Sequence, residues 1–179
     1  ARRMLEAVSR YGKPGFAEIA PSKIVGCIDD HPEYTRFAVV MSGDSGFYSG
    51  TKKLLPLLSD DDVKVIPGLS SMQVLCARLQ TSWDDAVALS LHGRAGSVVP
   101  ALRRSGKVFA LTDGTDALKR VCADLCAAGL DEARVDVGQR LSYPDEAILS
   151  GTAAELRDAA CAPLSAAFRS ATTDRKSVV

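Results

Sequence analysis

Ser42-Gly43-Asp44-Ser45-Gly46-Phe47-Tyr48 sets two glycines and a carboxylate directly behind an apolar run. The glycines let the backbone pass close to a ligand, and Asp44 places a carboxylate beside it. A tight turn between a strand and a helix uses the same residues, so the loop alone fits a ligand site or a plain turn. It is not a phosphate loop, because no Gly-Lys-Ser/Thr follows. A second loop, Ile66-Pro67-Gly68-Leu69-Ser70-Ser71, joins a rigid proline, a permissive glycine and two hydroxyls at a helix start, where serines also act as caps. A third, Ser90-Leu91-His92-Gly93-Arg94, puts one of the two histidines and an arginine in a glycine loop, although a lone histidine is commonly structural. Spacing reveals no Ser-His-Asp or Cys-His grouping, and Asp84-Asp85 reads as a solvated pair.

The elements that must position these loops follow a βα rhythm, the mark of an α/β protein. Residues 37–42 (FAVVMS) read as a buried strand, 43–50 as a loop and 51–58 as helix. Residues 63–66 form the next short strand, Pro67-Gly68 a turn, and 70–80 a helix. Because βαβ crossovers build parallel sheets, both loops should open at one carboxyl edge, where open α/β folds bind ligands. Further along, strands are expected at 86–91, 107–112, 134–140, 146–149 and 164–168, and helices at 98–104, 115–130 and 153–160. Helix 115–130 is the clearest, with Leu118, Val121, Cys122, Leu125 and Cys126 on one face and Gly129 near its end. Several late strands can pair antiparallel around the Tyr143-Pro144-Asp145 turn. The rhythm changes near residues 91–96, which predicts two small α/β lobes, 1–91 and 92–170, with a polar tail at 171–179.

Composition narrows the function. The 179 residues are 46% apolar and 25% charged, with 22 Lys+Arg against 22 Asp+Glu, so the chain is expected to be globular, with no general attraction for nucleic acid or an anionic membrane. No apolar run approaches the ~18 residues of a membrane span. Five scattered cysteines (Cys27, Cys76, Cys122, Cys126, Cys161) suit buried thiols of a reducing, cytoplasmic compartment. Cys122 and Cys126 share a helix face at a metal-like spacing, but no second pair joins them, and no metal is expected. The opening Ala-Arg-Arg-Met-Leu has neither an initiator Met nor a signal core and reads as a fragment or a processed start.

In combination and in this order, the loops resemble the tetrapyrrole (corrin/porphyrin) methyltransferases. SGDSGFYSG resembles that family's SGDPGFYG loop, VIPGLSSMQ its IPGISSVQ loop, and RLQTSWDDAVALSLHGR the segment that enters its second lobe. Together with LTDG at 111–114 and RLSYPDE at 140–146, the last of these is similar to the branch that methylates precorrins at C5 in cobalamin synthesis. Ser45 stands where the family has proline, and the family's opening strand and GxGPG loop have no counterpart in the sequence.

The resemblance implies a two-lobed α/β fold with S-adenosylmethionine held in the cleft. By motif matching, the cofactor contacts are Gly43, Asp44, Phe47, Ser70 and Ser71, with Leu111, Thr112 and Gly138 from the second lobe. A precorrin substrate with acetate and propionate arms calls for cations, so Arg94, then Arg140, with His92 beside them, are the substrate candidates. The sulfonium already activates the methyl group, so alignment and exclusion of water suffice without a catalytic triad. A homodimer is expected, alone or joined to a C15-methyltransferase/decarboxylase. A different substrate in the same fold, or a non-catalytic binding module, are the alternatives.

Overall fold

A computed structural model describes residues 2–92, 96–112, 114–161 and 164–169, the last strand by its backbone. The chain divides into two compact units, Ala1–Ser70 and Ser71–Val179. The change of sequence rhythm falls later, at residues 91–96. The strand that precedes it continues the first-half pattern but hydrogen-bonds into the second unit's sheet, and this moves the division forward.

The second unit is built on a five-stranded sheet in the order β1 (Val87–Ser90), β2 (Lys107–Thr112), β5 (Leu164–Arg169), β3 (Arg134–Gln139), β4 (Ala147–Thr152). β1 and β2 are parallel, and β5 lies antiparallel between β2 and β3, as does β4 against β3. The antiparallel pairing expected of the late strands is present. Around the sheet run α4 (Ser71–Arg78), α5 (Val99–Ser105), α6 (Thr115–Ala127) and the single turn α7 (Ala153–Leu156). α6 buries Leu118, Val121, Cys122 and Leu125, the stripe its sequence shows at helical spacing, with Val108, Val135 and Val137 of the sheet in the same core. Gly114 at φ 104 opens α6, and Gly129 at φ 71 follows its end, conformations that favour glycine. α7 is shorter than expected and starts with a capping box, in which Thr152 and Glu155 each bond the other's backbone N–H.

The first unit is put together differently. It holds α1 (Arg2–Ser9), α2 (Pro21–Asp29), α3 (Thr51–Leu54) and a 3₁₀ turn, Leu55–Leu58. The sequence pattern predicts no element before residue 37, so α1 and α2 are additions. The helix expected at 51–58 is split, because Pro56 has no N–H to continue an α ladder. The strands expected at 37–42 and 63–66 are not formed. Both runs lack a strand ladder, and Phe37, Val39, Val40, Val63, Val65 and Ile66 are exposed. A continuous apolar run records fitness for burial on both faces, but strand formation also needs a hydrogen-bonded neighbour, which neither run has among the described residues. Beside residues 37–41 lies an apolar cavity of about 1040 Å³ lined by Met4, Leu5, Phe16, Ile28, Val39 and Met41 among others. No helix of the described residues is long and apolar enough to cross a membrane.

Candidate functional site

Both glycine loops of the first unit are shaped by backbone geometry. Gly43 sits at φ 80, and Asp44 turns the chain by accepting a 2.6 Å bond from the Gly46 N–H through Oδ1. The Phe47 N–H reaches the Asp44 carbonyl at 3.3 Å, and the Phe47 and Tyr48 rings meet edge on at 5.0 Å. The second loop is pressed against the first: a Cβ added to Gly68 would stand 2.4 Å from the Gly43 carbonyl oxygen. Only glycine allows that approach, so the two motifs singled out in the sequence touch through their backbones. Ser70 is buried at the end of this loop, and Ser71 opens α4.

In the second unit, strand direction brings the remaining candidates to one edge. β5 is antiparallel to both β2 and β3, so β1, β2 and β3 all point the same way and their carboxyl ends share an edge. Register tightens the placement. Leu111 and Gly138 flank Ser165 of β5 from opposite sides, while Thr112 and Gln139 flank Leu164 in the next row. Gly138 sits in a tight place: a Cβ there would stand 2.9 Å from the terminal methyls of Leu75 of α4 and of Leu141, so a larger residue would require those side chains to shift. Thr112 is 4% exposed, and its hydroxyl has no hydrogen-bond partner among the described residues. A buried hydroxyl without a partner costs about 1–3 kcal/mol, and a ligand donor or acceptor at this edge would recover it.

The substrate candidates separate. His92 is exposed just past β1, whose ladder continues one residue through a 2.9 Å bond from the Leu91 N–H to the Leu111 carbonyl. Arg94 lies outside the described residues, as does Asp113 of the LTDG segment. Arg140, at the end of β3, is engaged: its Nε lies 2.6 Å from Asp145 Oδ2, and its guanidinium carbon is 4.8 Å from the centre of the Tyr143 ring. The other histidine, His31, is structural, with Nδ1 donating to the Cys27 carbonyl at 2.8 Å and the Phe16 and Tyr34 rings 4.3 and 6.0 Å away.

Two features escaped the sequence reading. Asp85, expected to be solvated, is 55% exposed and in addition holds the Lys107 ammonium at 2.7 Å, with Ser82 O and Thr81 Oγ1 as further acceptors; a buried lysine at the start of β2 needs such partners. Glu146 joins α4 to the turn after β3 by accepting 2.6 Å bonds from Arg78 Nε and the Ser142 N–H. The acidic pair after Pro144 was its only signal. All five cysteines are free, burial pushes the Cys122 thiol up to about 12, and the described residues contain no group of three or more His, Cys, Asp or Glu able to hold a metal.

The family model of the tetrapyrrole (corrin/porphyrin) methylases matches residues 16–157. The chain belongs to this family. Among curated proteins it is 31% identical over 110 residues to the cobalt-precorrin-7 C(5)-methyltransferase of Salmonella typhimurium, covering 62% of this chain and 54% of the relative. It is also 28% identical over 132 residues to the decarboxylating precorrin-6Y C(5,15)-methyltransferase of Mycobacterium tuberculosis, covering 74% of this chain and 33% of that one. The chain thus spans about half the length of the C(5)-methyltransferases it matches. Two solved methylases share its fold. The precorrin-6Y methylase of Archaeoglobus fulgidus superposes with a TM-score of 0.65 at 20% identity, covering 95% of this chain and 82% of its own. A cobalt precorrin-4 methyltransferase gives a TM-score of 0.72 at 19% identity, covering 88% and 76%. The tetrapyrrole methylase fold, an α/β architecture, is therefore the fold of this chain.

Proposed function

We propose that the chain is an S-adenosylmethionine-dependent C-methyltransferase that acts at C5 of a precorrin-6/7-type intermediate in cobalamin synthesis. The observation that carries this reading is the similarity to curated C(5)- and C(5,15)-methyltransferases over 62–74% of the chain, together with the family match across residues 16–157 that contains the candidate loops. Two physical features of the residues fit the cofactor. The Gly43 and Gly68 loops offer close-packed backbone, and Thr112 offers a buried hydroxyl with no partner among the described residues.

When bound, S-adenosylmethionine supplies a methyl group already activated by its sulfonium charge. The chain's own work is then to bind and to align. Gly43, Asp44, Phe47, Ser70, Ser71, Leu111, Thr112 and Gly138 would hold the cofactor through backbone and small polar groups. His92, Arg94 and Arg140 receive the carboxylate arms of the precorrin. None of these roles requires a proton relay or a metal, and orientation supplies the rate. The protein acts as a cytoplasmic homodimer, either alone or joined to a C15-methylating and decarboxylating domain.

Mass spectrometry of a precorrin-6/7-type substrate incubated with the protein and S-adenosylmethionine tests the reading. The expected product carries one added methyl, placed at C5 by NMR. Methylation at another carbon would move the protein to a different branch of the family, and no methylation, together with no binding of S-adenosylhomocysteine, would remove the enzyme reading.

A further inference from the structure

Seven residues join β3 to β4, and two of them, Arg140 at φ 48 and Ser142 at φ 67, take the left-handed conformation without being glycine. Side chains at such positions are tolerated where surrounding contacts impose them. Here two adjacent carboxylates supply the contacts, and they are not equivalent. Glu146 is anchored twice, by Arg78 and by the Ser142 N–H, and its side chain is only 17% exposed. The Arg78 guanidinium, then the Ser142 N–H, hold its carboxyl below the ordinary range. Asp145 pairs with Arg140 Nε at 2.6 Å, with its own backbone N–H as a lesser partner, and both side chains of that pair are about half exposed, 60% and 49%. An exposed ion pair between loop neighbours is weak, because water and salt compete for both charges.

The turn therefore has one fixed clasp and one exchangeable one. We propose that Arg140 is a carboxylate-exchange site: Asp145 occupies its guanidinium in the free protein, a carboxylate arm of the ligand replaces Asp145 there, and Glu146 is the positioning residue that keeps Arg140 in place for the exchange. The Tyr143 ring lies 4.8 Å from the guanidinium carbon, and the Arg140 side chain stays about half exposed, so a carboxylate arriving from solvent can reach the group that Asp145 holds through Nε. The position fits a ligand bound at the carboxyl ends of β1, β2 and β3, because Arg140 directly follows β3, one residue beyond the row that holds Thr112. The proposal rests on the reading that the ligand is a polycarboxylate tetrapyrrole. It gives Asp145 the role of an internal competitor.

That role has a sign no merely structural ion pair would have: removing Asp145 should tighten binding. The test is an absorbance titration of the protein with uroporphyrin III, which carries a carboxylate on every peripheral arm, at low ionic strength. No turnover is needed, and S-adenosylhomocysteine binding by the unaltered protein is measured in parallel. Asp145→Asn should bind the porphyrin about threefold more tightly, the scale of an exposed pair. Arg140→Ala should bind it roughly tenfold more weakly, and Arg140→Lys should recover only part of the loss. In Glu146→Gln the added Asp145→Asn change should bring no gain, because the clasp that presents Arg140 is gone. Asp145→Ser replaces Asp145→Asn if the latter does not fold. Wild-type-like or weaker binding by the Asp145 variant, wild-type-like binding by Arg140→Ala, or no porphyrin binding by the unaltered protein overturns the exchange site. Failure to bind S-adenosylhomocysteine with the Asp145 effect intact overturns the methyltransferase reading instead.

Discussion

The two units of this chain are rich in the same kinds of residue and use them in opposite ways. In the second, Val108, Phe109 and Ala110 of β2 and Val135 and Val137 of β3 are buried in a hydrogen-bonded sheet, with α6 packed in the same core. In the first, Val39, Val40, Val63, Val65 and Ile66 are as apolar and β-branched but stand exposed, in chain without a strand ladder. The difference shows that β-propensity describes a surface ready to be covered, whereas a strand is a relation between two segments. β5 makes the point within the second unit, where it is the bridge that gives both β2 and β3 a partner.

Truncation should expose the contrast most strongly. Phe109→Ala removes a ring that is 1% exposed and should cost about 3–5 kcal/mol in chemical denaturation, whereas Val39→Ala, at a site already 42% exposed, should cost under about 1 kcal/mol. Equal losses would mean that residues 37–41 are packed as firmly as the sheet.

A smaller effect comes from alkali. The Cys122 thiol is raised to about 12 by burial, then by the neighbouring Cys126 and Cys161, above its ordinary value of 9.0. A folded-state value above the unfolded one means that the native protein holds the proton more tightly. That stability is fully present below the ordinary value and is lost as pH rises from 9 toward 12, at about 1 kcal/mol per pH unit. Cys122→Ala should flatten this part of the pH dependence, measured by urea denaturation between neutral and alkaline pH. An unchanged alkaline slope in the variant would mean that Cys122 is not the group responsible.

The sequence carried the second unit well and the first unevenly. Helix α6 was readable because its apolar stripe, its opening after Gly114 and its stop at Gly129 agree with one another. β1, β2 and β3 lie within a residue of their expected bounds, since each run is bounded by turn residues. Residues 37–42 misled because an apolar run cannot say whether a neighbour will pair with it. For the candidate site, motif order indicated the Gly43 and Gly68 loops, and the structure shows them in contact. The clasp of Arg78 on Glu146 and that of Lys107 on Asp85 were hidden, because each joins residues far apart in sequence whose charges, read singly, look solvated.

Cofactor binding at this edge depends most on the Thr112 hydroxyl being kept for a ligand. Calorimetric titration with S-adenosylhomocysteine, run on the unaltered protein and on Thr112→Val alongside thermal denaturation of each, tests this directly. The unaltered protein should bind, and Thr112→Val should bind about tenfold more weakly while the free variant is as stable as the parent or more so, because a buried hydroxyl with no partner among the described residues has been replaced by a methyl. Absence of binding by the unaltered protein, or a variant that loses stability and keeps its affinity, would contradict the account.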